Sequence, residues 1–404
     1  MNSWKSWGIC MSNKKTMVLQ DCFSLRARIG WQGLRADEFL DYGPYLVTGT
    51  DFVNGKVNWD TCYHVTEERF KQDTGIQLKE NDLLVTKDGT VGKTAFVVDC
   101  PEKTTLNSHI FLVRTTTGKV LPQYLYYILN SRFFEDFQAN TLTGTTIKGL
   151  TQENFYKFSF PAPEDTKEQA KIAEVLATVD EAIDTTRRVI EKYKAIKTGL
   201  VQKLLGGTKK TTIGKVCKII AGGTPSTADT RFWNGDNVWL TPADLSKLTM
   251  PFIGMSARTI SDAGVKKATG KKIPAGSVIL SNRAPVGYVA IPTVDFSCNQ
   301  GCKGLICGEE IDALYLYYFL ENSTSQLEKV SSGTTFLELP KKELERFELR
   351  LPPTTAEQRK IADQILAADE KMETEREYMS RLNNIKDGLM QDLLTQKVSV
   401  EPIM

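Results

Sequence analysis

The chain has 404 residues, too many for one small binding module and enough for two or three domains that each bury a core. Hydrophobic residues at 41% and charged residues at 25% exclude a disordered chain. With 51 basic against 49 acidic residues the net charge is +2, so any nucleic-acid contact must come from local patches rather than a global positive field.

In chain order, residues 1–16 read as an N-terminal extension. Residues 17–163 read as a first domain, in which the β-rich runs DLLVT, TAFVV and HIFLVR are punctuated by Asn54-Gly55 and Asp88-Gly89 and followed by the helical PQYLYYILNSRFFEDF. Residues 164–207 are a long helix, 208–353 a second domain with SVILS, YVAI, Asn234-Gly235 and the helical ALYLYYFL, 354–396 a second long helix, and 397–404 a tail. The expected class is α+β: two homologous α/β-mixed domains, each with a mixed or antiparallel sheet, separated by two long helices packed as an antiparallel coiled coil, with an internal pseudo-two-fold repeat. Eight cysteines at irregular spacing, behind no secretory leader, read as free thiols; the longest apolar run is too short to cross a bilayer, and a cytoplasmic location is expected. His64 and His109 lie far apart with no cysteine pair at ligand spacing, which argues against a metal site.

The repeat is explicit. KEQAKIAEVLATVDEAID from Lys167 recurs as AEQRKIADQILAADEKME from Ala356, and from Glu168 onward 16 of 38 positions are identical at an offset of 189. The first helix carries Ile172, Leu176, Val179, Ile183, Ile190, Tyr193, Leu200 and Leu204 in alternating steps of four and three, with gaps at Thr186 and Lys197. The second carries Ile361, Ile365, Ala368, Met372, Met379, Leu382, Leu389 and Leu393. A seam of about five heptads predicts helices that pack on each other as a spacer of roughly 60 Å. Thr166 with Gln169, and Thr355 with Gln358, predict capping boxes. The domains match more weakly: NDLLVTKDGTVGKTAFVV lies over GSVILSNRAPVGYVAIPT at an offset of 195, which also lays Val18 and Cys22 on Ile213 and Cys217, while Asn107 corresponds to Asn299.

Enzymatic motifs do not hold up. DGTVGKT lacks the first P-loop glycine, because Lys87 takes its place, and a strand-like AFVV follows where a phosphate-binding helix should start. No cofactor loop or Asn-Pro-Pro-aromatic element of an amine methyltransferase and no acidic nuclease cluster is found, so the chain reads as non-catalytic and metal-free. What remains are polar and basic loops at matching repeat positions, with residue types able to reach base edges or phosphates. The DNA-contact candidates in the first domain are Arg35, Lys87, Asp88, Thr90, Lys93, Asn107, His109, Thr145, Thr146 and Lys148. In the second they are Thr224, Ser226, Arg231, Asn282, Arg283, Tyr288, Asn299, Gln300, Thr334 and Thr335.

The motifs GPYLVTGTDFVNGK, LLVTKDGTVGKT, GGTPSTADTRFW, VWLTPADL and ILSNRAPVGYVAI, with paired EQxKIA helices ending in GLxQxLL, resemble the specificity subunits of Type I restriction-modification systems over nearly the whole chain. The resemblance implies two target-recognition domains that bind a split, asymmetric DNA sequence across a spacer fixed by the helices. It implies partners: two adenine methyltransferase (modification) subunits carrying S-adenosylmethionine and, in a cleaving assembly, two restriction subunits using ATP and Mg, with no cofactor on this chain and no membrane. Glu168, Lys171, Arg187 and Lys192 with their duplicates Glu357, Lys360, Arg376 and Arg381 are the candidate docking residues for the modification subunits. A stand-alone DNA-binding regulator or anti-restriction scaffold on the same frame is the alternative.

Overall fold

The computed structural model describes residues 15–28, 33–141, 149–332, 337–398 and 400. The chain divides into two compact units, residues 1–185 with 379–404 and residues 186–378, and the division falls inside both long helices.

In the first unit the elements are β1 (Lys15–Val18), α1 (Leu19–Cys22), β2 (Phe23–Arg26), β3 (Leu40–Val47), β4 (Phe52–Val53), β5 (Lys56–Val57), β6 (Tyr63–His64), α2 (Glu67–Lys71), β7 (Leu83–Thr86), β8 (Thr94–Phe96), β9 (Thr104–Leu106), β10 (Ile110–Thr115), α3 (Pro122–Leu129), α4 (Arg132–Thr141), α5 (Gln152–Tyr156) and β11 (Ser159–Ala162), followed by the start of α6 (Thr166–Leu204). The central sheet runs β2-β10-β7-β8-β5-β4, and smaller sheets run β6-β3-β9 and β1-β11.

The second unit repeats this plan with β12 (Lys209–Thr212), α7 (Ile213–Val216), β13 (Cys217–Ala221), β14 (Trp233–Leu240), α8 (Pro242–Leu245), β15 (Phe252–Ile253), β16 (Thr259–Ile260), α9 (Asp262–Ala268), β17 (Val278–Ser281), β18 (Val289–Pro292), β19 (Phe296–Cys298), β20 (Cys302–Cys307), α10 (Ala313–Asn322), α11 (Thr324–Lys329), α12 (Lys341–Arg346), β21 (Glu348–Leu351) and the start of α13 (Thr355–Leu394). Its sheets, β13-β20-β17-β18-β15, β16-β14-β19 and β12-β21, match those of the first unit in order. The expected α+β class and the duplication are both present. One alignment needs correcting: the amides of Leu19 and Ile213 donate to Phe158 and Phe347, so Leu19, not Val18, matches Ile213, and Cys22 matches Val216. Only that register puts a fully buried residue at the head of both short helices.

The long helices do more than pair with each other. In the first unit Ile172, Ala173 and Leu176 of α6 share one core with Met390, Leu393 and Leu394 of α13 and with Tyr124, Leu125 and Ile128 of α3. In the second unit Ala362 and Ile365 of α13 share a core with Leu200 and Val201 of α6 and with Leu314, Tyr315 and Tyr318 of α10. Each unit therefore contains the first half of one long helix and the second half of the other, which makes the pairing antiparallel. Of the remaining seam residues, Ile183, Ile190, Ala368, Met372 and Leu382 are buried, and Val179, Tyr193, Leu204, Ile361, Met379 and Leu389 are half-buried.

The predicted capping boxes are shifted. Lys167 N donates to Asp165 Oδ1 at 2.8 Å, which makes Asp165 the cap of α6, and Thr354 with Glu357 closes a reciprocal box at 3.1 and 3.2 Å ahead of α13. The glutamines take a different task. Gln169 is fully buried; its Oε1 accepts from Leu121 N at 2.9 Å while its Nε2 donates to Lys119 O and Pro163 O at 2.9 and 2.8 Å. Gln358 does the same with Asp312 N and Glu310 O at 2.9 and 3.0 Å. Among the described residues no helix is long and apolar enough to cross a membrane, and the seven cysteines are free.

Candidate nucleic-acid interface

Both units gather their polar loops at the β7-β8 turn and its duplicate, β17-β18. In the first, Lys93 N donates to Thr86 Oγ1 at 2.9 Å, closing the turn, and the Thr86 hydroxyl donates in turn to Thr90 O. In the second, Tyr288 N donates to Ser281 Oγ at 2.8 Å, and that hydroxyl donates to Pro285 O at 2.9 Å. DGTVGKT is thus a hairpin turn running into a strand, a geometry with no helix terminus to hold a phosphate.

Around the first turn, Lys87 N donates to His109 O at 3.0 Å, Leu150 N to Lys87 O at 2.7 Å, and Lys93 Nζ to Gly49 O at 3.4 Å. The His109 imidazole meets the Asp88 carboxylate. Lys87, Asp88, Thr90, Lys93 and His109 therefore stand together, beside a loop in which Asp51 accepts from the Thr48 amide and hydroxyl at 2.7 and 2.9 Å. Asn107 is buried; its backbone N–H donates to Val47 O and its side-chain Oδ1 accepts from Ser108 N at 2.6 Å, so it orders the turn rather than presenting an edge. Arg35 is exposed at the head of a different turn, where its amide donates to Glu38, and no contact among the described residues ties it to this group. Thr145, Thr146, Lys148, Thr334 and Thr335 lie outside the described residues.

Around the second turn, Asn282 N donates to Gly301 O at 2.8 Å and Leu339 N to Asn282 O at 2.7 Å, repeating the Lys87 pattern. The side chains differ. Asn282 is wholly buried beneath the 337–339 segment, with no partner for either side-chain amide atom among the described residues, so it does not face solvent as an exposed reader. Beside it the buried Lys303 donates to Leu339 O at 3.0 Å, and burial holds its pKa below the ordinary lysine value. Arg283 is exposed but pairs with Glu338 at 3.1 Å, Arg231 is held by Asp229 at 3.0 and 2.7 Å, and Tyr288 is half-buried against a core. Thr224 bonds the Gln300 side chain, and Asn299 Oδ1 accepts from Gly301 N at 3.0 Å. Asp244 accepts from the Thr241 amide and hydroxyl at 2.8 and 2.6 Å, duplicating the Thr48–Asp51 loop.

Sequence reasoning missed this T-x-x-D pair, although VTGTD and LTPAD spell it in both halves. It also missed Arg258, whose guanidinium lies 3.7 Å from the Trp233 ring centroid, and the exposed Lys266, Lys267, Lys271 and Lys272. Strand alternation gave no signal for Arg258, because the register of β14 shifts between Trp233 and Asn237 and only the folded chain brings Trp233 and Trp239 together. On the helices, Lys192 and Lys360 are exposed, Glu168 is half-buried, Lys171 pairs with Glu174 and Arg376 with Glu373, and Glu357 is committed to its cap. Arg187 and Arg381 stand near the division between units, half-buried and exposed respectively.

The sequence pattern of the Type I restriction modification DNA specificity domain matches this chain twice, over residues 11–195 and 206–384. The chain belongs to the Type I restriction-modification specificity family. It is 33% identical over 191 residues to the Type I restriction enzyme MjaIX specificity subunit of Methanocaldococcus jannaschii, a match spanning 44% of each chain and so less than half of that relative's length. It is 25% identical over 398 residues to the putative MjaX specificity subunit of the same organism, covering 91% of each. The crystal structure of the Type I restriction-modification S subunit from M. genitalium shares the fold at a TM-score of 0.61 and 15% identity, covering 95% of this chain and 97% of that one. Type I specificity subunits are DNA-recognition chains without catalytic chemistry of their own, and the paired turns described above carry different side chains in the two halves of this chain.

Proposed function

We propose that this chain reads a bipartite, asymmetric DNA target, one half through each unit, and presents it to adenine methyltransferase subunits that carry S-adenosylmethionine. Two modification subunits match the internal duplication, and a cleaving assembly adds restriction subunits that use ATP and Mg. The observation that supports the reading is that two turns of the same backbone construction carry different accessible side chains, Asp88 in one and Arg283 at the matching place in the other. One scaffold with unequal readers calls for unequal half-sites.

On this reading residues 17–163 and 208–353 are the target-recognition domains, 164–207 and 354–396 the spacer helices, 1–16 an extension and 397–404 a tail. Lys87, Asp88, Thr90, Lys93, His109, Thr224, Ser226, Gln300 and Arg283 face the DNA, and Thr145, Thr146, Lys148, Thr334 and Thr335 are proposed as further contacts. Lys192, Lys360 and Arg376 lie on the faces the methyltransferase subunits use. The test is co-expression with the partner methyltransferase in a methylation-deficient host, then modification-sensitive sequencing of host DNA. Methylated adenines at one split, asymmetric motif are expected; a stable complex that leaves the DNA unmodified overturns the reading.

A further inference from the structure

We propose that Arg258 reads a guanine in the half-site of the second unit, a specificity role that rests on the DNA-recognition reading above. Its backbone is fixed from both sides: Ser256 Oγ donates to Arg258 O at 2.7 Å and accepts from Trp239 N at 3.0 Å, and Ala257 N donates to Asp244 Oδ1 at 2.8 Å. Its side chain is exposed, with the guanidinium carbon 3.7 Å from the Trp233 centroid and 5.9 Å from that of Trp239. The two indoles meet edge to face at 5.0 Å. Each also donates its N–H into the glycine-rich loop, Trp233 to Ser226 O at 3.0 Å and Trp239 to Gly223 O at 3.2 Å. One aromatic platform therefore sets both the loop that carries Thr224 and the plane of Arg258.

Stacking uses the flat face of a guanidinium and leaves its N–H edge free, and the fork of that edge matches the N7 and O6 acceptors of guanine. Holding the plane in advance removes most of the ordering cost of a bidentate contact. Arg231 and Arg283 are already occupied by Asp229 and Glu338, whereas Arg258 has no carboxylate partner among the described residues. A phosphate role is better served by the exposed Lys266, Lys267, Lys271 and Lys272, point charges on flexible stems in and just after α9. In the first unit His64 pairs with β3 as Ile260 pairs with β14, so Cys62 stands where Arg258 does, and it is buried. The guanine requirement thus belongs to one half-site only.

The test uses the full chain with its methyltransferase partner and the same genome-wide adenine methylation readout, comparing wild type with Arg258→Ala and Arg258→Lys. Both variants are expected to relax one guanine in one half-site by roughly five- to a hundred-fold, leaving the other half-site and the spacer unchanged. An unchanged motif in Arg258→Ala overturns the inference while the specificity reading stands. So does uniform weakening at every target that Arg258→Lys restores, because that is the behaviour of a phosphate contact. If either variant is inactive throughout, Arg258→Gln decides: it leaves the Trp233 platform in place and is expected to lose the guanine preference, and an unchanged guanine requirement there overturns the inference. A wild-type complex that methylates nothing removes the specificity reading and this inference with it.

Discussion

Lys197 Nζ stands 2.9 Å from Asp369 Oδ1, and its duplicate Lys386 stands 2.6 Å from Asp180 Oδ1. Each aspartate also accepts a tyrosine hydroxyl at 2.9 Å, Tyr318 on Asp369 and Tyr127 on Asp180. The lysine comes from one long helix, the aspartate from the other and the tyrosine from the adjoining domain, so each latch ties three segments of its unit. Lys197 is one of the two positions where the apolar seam of its helix breaks, and this break is the partner of a buried charge. Removing one member of such a pair strands the other. Lys197→Met is expected to destabilise the second unit by about 3 kcal/mol in urea unfolding, and Lys197→Met with Asp369→Leu to recover at least half of that. Lys386→Met costs less, because Lys386 and Asp180 are 22% and 29% exposed against 20% and 7% for Lys197 and Asp369. A double variant no more stable than the single one contradicts the latch.

The same latch sets an alkaline limit. Burial works against the Lys197 ammonium, but Glu321 and Asp369 outweigh it and hold its pKa above the ordinary value of 10.5. A lysine raised on folding contributes stability that is complete below the unfolded value and lost as pH rises through the folded one. Melting of the second unit is therefore expected to be flat from neutral pH to about pH 9.5 as far as Lys197 is concerned, then to fall above the ordinary lysine value. Lys197→Met must shrink that alkaline fall; an equal fall in the variant assigns it to other groups.

Gln169 and Gln358 give a graded pair. Gln169 satisfies three backbone groups, one in a buried bond and two in part-buried ones, and Gln358 two in part-buried bonds. Replacement by leucine leaves those groups without partners, at about 1–3 kcal/mol each before relaxation. Gln169→Leu is expected to lower unfolding stability more than Gln358→Leu, with hydrogen exchange accelerated first at the Leu121 and Asp312 amides respectively. Unchanged exchange at those two amides rules out the clamp.

Much of this was legible in the sequence, and the exceptions have physical causes. The duplication, the long helices and the hairpin character of DGTVGKT follow from periodicity and turn residues, because local preference and tertiary structure agree there. The capping boxes were misplaced by one residue because Gln169 and Gln358 satisfy a spacing rule while serving a long-range contact that no local rule encodes. Asn282 looked like an exposed turn residue; the 337–339 segment, more than fifty positions away in sequence, covers it. Arg258 follows no motif, and its surroundings arise only when β14 places Trp233 and Trp239 beside it.

Lys87 offers a test confined to the first half-site. Its amine lies over the Phe111 ring at 5.7 Å, half-buried in the turn that holds Asp88 and His109. If it contacts a phosphate, Lys87→Ala weakens DNA binding by the complex at every sequence alike and lowers the slope of log affinity against log salt by about 1. Titrations at four KCl concentrations measure this. A slope unchanged from wild type together with a relaxed base in the first half-site makes Lys87 a base reader instead.

The helices as a ruler can be tested because the division between units falls within both of them, at 185/186 and 378/379. Seven residues inserted at both places keep the heptad phase, so the apolar seam and both latches survive, while each helix gains roughly 10.5 Å. At 3.4 Å per base pair that is about three base pairs. The expected methylated motif keeps both half-sites and gains a correspondingly longer spacer. Four residues inserted instead add about 6 Å but turn the following segment by roughly 40° and break the seam, so that variant is expected to lose stability as well as to alter the spacer. Altered half-sites at the original spacer, with the seven-residue protein folded, contradict a measuring role for the helices and leave the domains themselves to set the distance.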